Sequence, residues 1–406
     1  MTHRLLDISR IVSRVGLGPF SGIDRVERAY FREFLRREGQ VHFLCRLPRS
    51  YAVLDRQAGQ VLFNKINGVE PWGSRGIAGF ILPRMTALQQ RVVADVWRLA
   101  GTKCSSRDLS RCFPRIFSEG LQYFNIGHSN LRPVVFEALE KVAGSKITVF
   151  VHDIIPITHP EFSRPEVCAR FTADMLRVGR LADRVIYNSQ ATRDAAEAWF
   201  AQVGPVPEGL VAHLGTEDAP PPVFRAESAQ PQFITIGTIE PRKNHAMLLR
   251  IWQRLHRALP AGEVPLLHVV GRRGWKNRDV FHMLDNDPMM GVSVFEHNDL
   301  SDDALQGLLA ESRALLFPSH VEGFGLPLVE AARLGVPVIC GENAIYQEIL
   351  GDYPLYLPVD NPYAWEKEIL ERAGRLRESE AERQVRGRSV ALPDWNGHFD
   401  RIFRFV

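Results

Sequence analysis

The sequence predicts an α/β fold in two units, each built on a parallel sheet. Three observations carry this reading. Short β-rich runs alternate with helical patterns along the whole chain, the order that parallel strands joined by crossover helices require. The runs are apolar and nearly continuous, as strands covered on both faces must be. A breaker-rich stretch, "EDAPPPVFRAESAQPQ" over 217–232, separates two series of strands, and its three consecutive prolines make it a stiff connector. At 406 residues the chain also exceeds one ordinary core. The expected division is 1–220, 221–392 and a terminal helix over 393–406, with a crossing of that helix back to the first unit as a further expectation.

Candidate strands of the first unit are "RLLDIS", "VHFLCR", "YFNIGH", "ITVFVHD" and "DRVIYNS". Those of the second are "FITIGT", "LLHVVG", "VSVFEH", "ALLFPS" and "VPVICG", with helical segments such as "AMLLRIWQRLHRAL" and "DDALQGLLAES" between them. Residues 80–118 read as helices, "LQQRVVADVWRLAG" among them, plus a mobile polar loop, "TKCSSRDLSR". The stretch "RLRESEAERQVRGR" reads as a solvated helix face, and "WNGHFDRIFRFV", beyond Pro393, as a separate amphipathic helix.

Composition narrows the function. Apolar residues make up 45% and charged residues 24%, a globular profile, and a net charge of +3 implies no nucleic-acid partner. Five scattered cysteines without a CxxC pair suggest neither a disulfide framework nor a zinc site, and fit a reducing compartment. The N-terminus lacks the apolar run of a signal peptide, and no stretch approaches a membrane span. The expected location is therefore cytoplasmic, with peripheral contact at the inner face of the membrane as a further expectation.

Five motifs concern chemistry. "GLGPFSG" over 16–22 sits between a strand and a helix but is GxGxxxG, and Pro19 removes an amide where a dinucleotide pyrophosphate would need one. Gly22 before the following helix fits either a phosphate-cradling loop or a plain turn. On that helix Arg25, Arg28, Arg32 and Arg36 form one stripe beside the apolar face of Val26, Ala29, Tyr30 and Phe34. The stripe fits a solvated face better than an anionic partner, since Glu27 and Glu33 share the helix. In "GTIEPRKNHAMLL", Arg242 and Lys243 stand between a strand end and a helix that Asn244 can cap, where α/β sheets hold phosphate. "VFVHDIIPITHPEF" places His152 and Asp153 just past an apolar strand, and "YFNIGHSN" does the same for Asn125 and His128, each open to a functional or a structural role.

The fifth motif is "HVEGFGLPLVE". Glu322 lies in the loop after "ALLFPS"; Gly323 and Gly325 allow backbone conformations that aim amides outward, and Pro327 suits a first helical turn. Glu330 follows on that helix. A carboxylate for hydroxyls, amides for phosphate and a second carboxylate for a diol match a nucleotide sugar from end to end. An acid-decorated helix start accounts for the carboxylates but for neither glycine.

"PSHVEGFGLPLVEAARLGVPVI", with "GTIEPRKN", "VHDIIPITHPEF", "VVGRRGW" and "LSDDALQGLLAESRALLFPS", closely resembles family 4 retaining glycosyltransferases of GT-B architecture: two Rossmann-like domains with parallel sheets facing a central cleft. The resemblance covers about residues 147–360. It implies that Glu330 binds the donor ribose, Glu322 the transferred sugar, Lys243 and Arg242 the diphosphate, His152 the sugar's far side, and Gly22 the diphosphate through its amide. The amides of Gly323, Phe324, Gly325 and Leu326 join the donor set. Thr238 stands where many members carry Arg, which shifts phosphate binding toward Arg242 and Lys243. The resemblance implies metal-independent hexosyl transfer without a cofactor. The donor is GDP-mannose or a UDP-sugar, and the acceptor a glycan or a lipid-linked glycan in surface-polysaccharide assembly. A catalytically silent scaffold and a nucleotide-sugar epimerase of the same architecture are the alternatives.

Overall fold

The computed structural model describes residues 3–118, 120–216, 230–260, 262–375 and 379–406. The first sheet has eight strands: β1 (His3–Asp7), β2 (Gln40–Arg46), β3 (Ser50–Leu54), β4 (Thr102–Ser105), β5 (Leu121–Asn125), β6 (Lys146–Val151), β7 (Arg184–Tyr187) and β8 (Glu208–Val211). Their order is β4-β3-β2-β1-β5-β6-β7-β8. The second sheet comprises β9 (Gln232–Ile236), β10 (Leu266–Val270), β11 (Val294–His297), β12 (Ala314–Phe317), β13 (Val338–Gly341) and β14 (Leu355–Leu357), in the order β11-β10-β9-β12-β13-β14. Every pair of the second sheet is parallel.

The first sheet departs from the expected all-parallel arrangement at one edge. β2 and β3 pair antiparallel, as do β3 and β4. The turn joining β2 to β3 is too short for a crossover, so the chain can only fold back on itself. The stretch "TKCSSRDLSR", expected as a mobile loop, instead holds β4 and the start of the helix Leu109–Ile116; Cys104 is buried opposite Tyr51. The connector expected over 217–232 lies mostly outside the described residues, and its last residue, Gln232, opens β9.

Strand order in both sheets reverses beside the first strand of the unit, β1 in one and β9 in the other. At such switch points neighbouring connections leave on opposite faces, and a crevice opens at the carboxyl ends of the strands. The loops after β9 and β12 and those after β1 and β6 therefore define the cleft.

The helix Gly22–Arg36 follows β1 and is started by a reciprocal cap: the Ser21 hydroxyl receives the Asp24 amide, and the Asp24 carboxylate receives the Ser21 amide. Asp24 also receives the Arg10 guanidinium at 2.7 Å, fixing the preceding helix Ser9–Arg14 against this one. Val26, Ala29, Tyr30 and Phe34 are buried as the periodicity requires. Glu27, counted in sequence among the solvated acids, is also fully buried, and burial raises its carboxyl well above the ordinary range. It fits because residue 127 is glycine: a Cβ there would stand 2.6 Å from a Glu27 carboxylate oxygen.

The last helix, Trp395–Phe405, packs on the first unit. Phe399 meets the Tyr30 ring edge-on at 5.0 Å, and His398 bridges the Tyr30 hydroxyl and the His213 carbonyl, each at 2.9 Å. Among the described residues no helix is long and apolar enough to cross a membrane. Truncating the buried Phe399 to Ala removes its contacts with Tyr30 and Trp395. Phe399→Ala is expected to cost about 3–5 kcal/mol in urea unfolding, the usual range for a buried Phe→Ala change.

Candidate functional site

The loop after β9 is drawn tight at its start. Gly237 has φ +147°, and Gly271 approaches its carbonyl so closely that a Cβ at 271 would sit 1.9 Å from it. Pro241–Lys243 then form one 3-10 turn, and Asn244, left-handed at φ 55°, leads into the helix His245–Ala258. Asn244 does not cap this helix through its side chain, as the sequence suggested it could; its amide donates to the Val359 carbonyl at 3.2 Å. Thr238 packs its methyl where a Cβ on residue 274 would come within 2.8 Å.

The loop after β12 is tied to this one. His320 N–H donates to the Arg242 carbonyl at 2.8 Å, and the Arg242 guanidinium donates to the Val321 carbonyl at 3.1 Å. Glu322 is thereby held between two cations, 2.7 Å from Arg242 and 2.5 Å from Lys243. All three are largely enclosed, and Lys243 also stands 4.3 Å over the Phe317 ring. Glu240, buried, takes the other side of Arg242 at 2.5 Å.

Burial alone would raise the Glu322 carboxyl, but the charges of Arg242 and Lys243 outweigh it and bring it down to about 2. Burial pulls Lys243 below its ordinary value, against the opposing charge of Glu322. Beside them His245 is buried with neither ring nitrogen hydrogen-bonded among the described residues, and burial lowers it to about 3. It stays neutral at the foot of a cationic cluster.

Gly325, at φ 89°, begins the helix Leu326–Arg333, and a Cβ there would fall 2.9 Å from Leu328 and 3.0 Å from Tyr346. Glycine is required on both counts. Gly323 is required for a different reason: a Cβ would stand 2.7 Å from the His152 carbonyl and 3.0 Å from an Asp153 carboxylate oxygen. The loops after β12 and β6 thus touch across the cleft. Phe324 and Leu326 are buried beside them, with Leu326 3.6 Å from where a Cβ on Gly22 would lie.

His152 is buried, its Nε2–H donating to the Ile126 carbonyl at 2.8 Å; burial holds it neutral, which leaves Nδ1 as the unprotonated nitrogen. Asn125 and His128 belong to the same interior. Asn125 donates to the Tyr123 hydroxyl at 3.0 Å, and His128 is lowered to about 4 by burial. The structural reading of these two is the one their contacts support.

Glu330 pairs with Arg25 of the first unit. The arginine stripe is therefore not one face: Arg25 points into the cleft, Arg28 lies 5.7 Å over the Phe20 ring, and Arg36 is exposed. Further bonds cross the cleft. The Arg272 guanidinium donates to the Leu17 carbonyl, Trp275 to the Phe162 carbonyl at 2.9 Å, and Lys276 to the Ser163 carbonyl at 2.6 Å. Sequence reasoning placed Arg242, Lys243, Glu322 and the glycines, which the structure gathers at one switch point, and missed Arg25, Glu240 and Arg272. A signal existed for Arg25, which follows Gly22 by three positions in the first turn of the glycine-loop helix.

Two Rossmann-like units that face a cleft holding a cation-carboxylate cluster form the GT-B architecture, the fold of the solved structures that the chain resembles. Residues 219–373 match the family described as Glycosyl transferases group 1. A serotype-specific mannosyltransferase, WbdA, of Escherichia coli is 34% identical over 239 residues, 55% of this chain and 29% of that protein. The O-antigen chain mannosyltransferase RfbU of Salmonella typhimurium is 25% identical over 225 residues, 55% of this chain and 59% of that one. The chain thus spans about three-tenths of the first of these relatives. Among solved structures, Anabaena Alr3699/HepE in complex with UDP and glucose superposes with a TM-score of 0.61 at 14% identity, over 100% of this chain and 99% of that one. The lipopolysaccharide outer core galactosyltransferase WaaB matches with a TM-score of 0.53 at 14% identity, over the full length of both.

Because its folded value is depressed, Glu322 contributes stability that is complete above its unfolded value of about 4.3 and lost as pH falls through 2. Carboxylate 13C titration should place its midpoint well under that of an ordinary glutamate; a midpoint near 4.3 would contradict the ion-pair geometry. Gly323→Ala is expected to push the loops after β6 and β12 apart, seen as faster amide exchange at residues 152–155 and 322–326.

Proposed function

We propose that this chain is a retaining hexosyltransferase that moves mannose from GDP-mannose to a glycan or lipid-linked glycan acceptor in surface-polysaccharide assembly. The observation that carries the reading is Glu322 held between Arg242 and Lys243 at the β9/β12 switch point, with Glu330 just past the first turn of the helix that follows. A departing nucleoside diphosphate gains negative charge, and two preplaced cations with helix-start amides stabilise it without reorganising. In the free enzyme Glu322 stands in for that anion and keeps both cations in place. When the donor enters, the diphosphate takes up part of their charge, and Glu322 turns its second oxygen to a sugar hydroxyl. Glu330 takes the ribose diol once Arg25 releases it. His152, neutral and oriented by the Ile126 carbonyl, offers Nδ1 as a hydrogen-bond acceptor toward the sugar.

The mannosyl donor is supported by the mannosyltransferase names of the curated relatives, and a UDP-sugar is the competing donor. Retention follows the family resemblance: the leaving phosphate would take the acceptor proton on the face it departs from.

The test is transfer by the purified full chain from GDP-mannose and from UDP-glucose, with the product anomer read by NMR. An inverted product would overturn retention. Lys243→Ala and Glu330→Ala should each lower turnover at least about tenfold, a loss of about 1.4 kcal/mol of transition-state stabilisation. Near-normal turnover in both would sink the site assignment.

A further inference from the structure

The helix Gln190–Val203 belongs to the first unit, but its start is finished by the second. An α-helix leaves its first amides without partners inside the helix itself. Ser189 meets one of them, its hydroxyl receiving the Thr192 amide at 3.0 Å. The two amides before it turn to the other unit: Gln190 and Ala191 donate to the two carboxylate oxygens of Glu348, at 2.7 and 3.1 Å. His213, just past β8, donates its Nε2–H to the same carboxylate at 2.6 Å. An anion suits that place, because the helix dipole is positive at its N-terminus. The side chains of Glu348 and His213 are only 21% and 31% exposed, so the contact is largely shielded from water.

Both sides of this contact lead to the loops of the cleft. Glu348 lies on the helix Ala344–Leu350, where residues two apart do not share a face. Tyr346 accordingly points into its own unit, buried, with its ring 3.0 Å from where a Cβ on Gly325 would stand. In the first unit, Asn188 donates to the His152 carbonyl at 2.8 Å, and the Thr192 hydroxyl donates to the Gly323 carbonyl at 3.4 Å. The same His152 carbonyl is the atom that a Cβ on Gly323 would strike. One helix start is therefore bonded both to the loop after β6 and to the loop after β12, at the point where the two touch.

We propose that Glu348 is a positioning residue: a helix cap that one unit supplies to the other, which fixes the register in which His152 meets Gly323. It bonds only to the helix start and to His213, and to none of the groups assigned to the donor. It acts on the reaction through the apposition of the two loops, not by touching substrate. The consequence for transfer rests on the proposed function; the coupling of the two units at this helix start does not.

The test is Glu348→Gln in the full chain, which keeps the side chain's size and puts a donor where one of the two amides needs an acceptor. Amide hydrogen exchange at residues 190 and 191 is expected to quicken at least about tenfold, within the range that loss of a helix cap produces. Exchange at residues 323–325 should rise at least about threefold, and small-angle scattering should show a larger radius of gyration. Unchanged exchange at 190 and 191 overturns the cap. Faster exchange there, with 323–325 and the radius unchanged, overturns the positioning role and leaves a local helix cap. With whichever of GDP-mannose and UDP-glucose serves as donor, turnover at saturation should fall at least about tenfold. Calorimetric affinity for the matching nucleoside diphosphate should stay within about threefold, equivalent to less than 1 kcal/mol. Turnover and nucleotide affinity lost together overturn the positioning role, because the second unit itself is then disturbed. An unaltered chain that neither binds nucleotide nor transfers sugar overturns the proposed function and leaves the exchange and scattering comparison to decide this inference.

Discussion

The enclosure of Glu322 between Arg242 and Lys243 is the interaction on which the rest of the donor side depends. A buried carboxylate with one cation would leave charge uncompensated; with two, plus Glu240 on the far side of Arg242, the cluster is close to balanced. Balance of this kind demands geometry. The loop after β9 must bring both cations to one point, which the 3-10 turn and the left-handed Asn244 accomplish. The loop after β12 must bring the acid to meet them, and the His320–Arg242 and Arg242–Val321 bonds secure it there. The same two loops are those that the switch-point topology leaves open, so the charge cluster and the crevice have one structural origin.

The cleft is bridged in its resting state by contacts of unequal kind. Arg25–Glu330 is an ion pair between side chains, which on the proposed reading a ribose would replace, whereas Trp275 and Lys276 donate to backbone carbonyls. Glu348 belongs to the second class as well. It caps the helix Gln190–Val203 by receiving the Gln190 and Ala191 amides at 2.7 and 3.1 Å and pairs with His213 at 2.6 Å. On the proposed reading, donor entry exchanges the Arg25–Glu330 pair while the other bridges persist, which lets the units stay apposed and exclude water from a reactive donor.

Much of the charged cluster in the cleft was legible in sequence because its parts are local. Two glycines, a proline and two acids within eleven residues encode a complete loop-helix unit, and "EPRKN" encodes its partner. Periodicity likewise revealed ten of the strands by their apolar runs. What stayed hidden depended on distant pairing. β4 is polar but for Cys104, and β14 is only three residues long, so their neighbours in the sheet define them. Glu27 looks like any surface acid until Gly127 opens a space for it, and Arg25 looks like one member of a stripe until Glu330 approaches from 305 positions away.

The helix Trp395–Phe405 belongs spatially to the unit made first. Tyr30 and Phe124 are covered by His398, Phe399 and Phe403, which are synthesised after both sheets. At about 5–20 residues per second, roughly 10–40 s separate completion of β8 from arrival of that cover. During that interval the nascent first unit presents an aromatic surface to its surroundings. The order of synthesis thus ties the first unit's exposure to chaperones and to aggregation to the helix Trp395–Phe405.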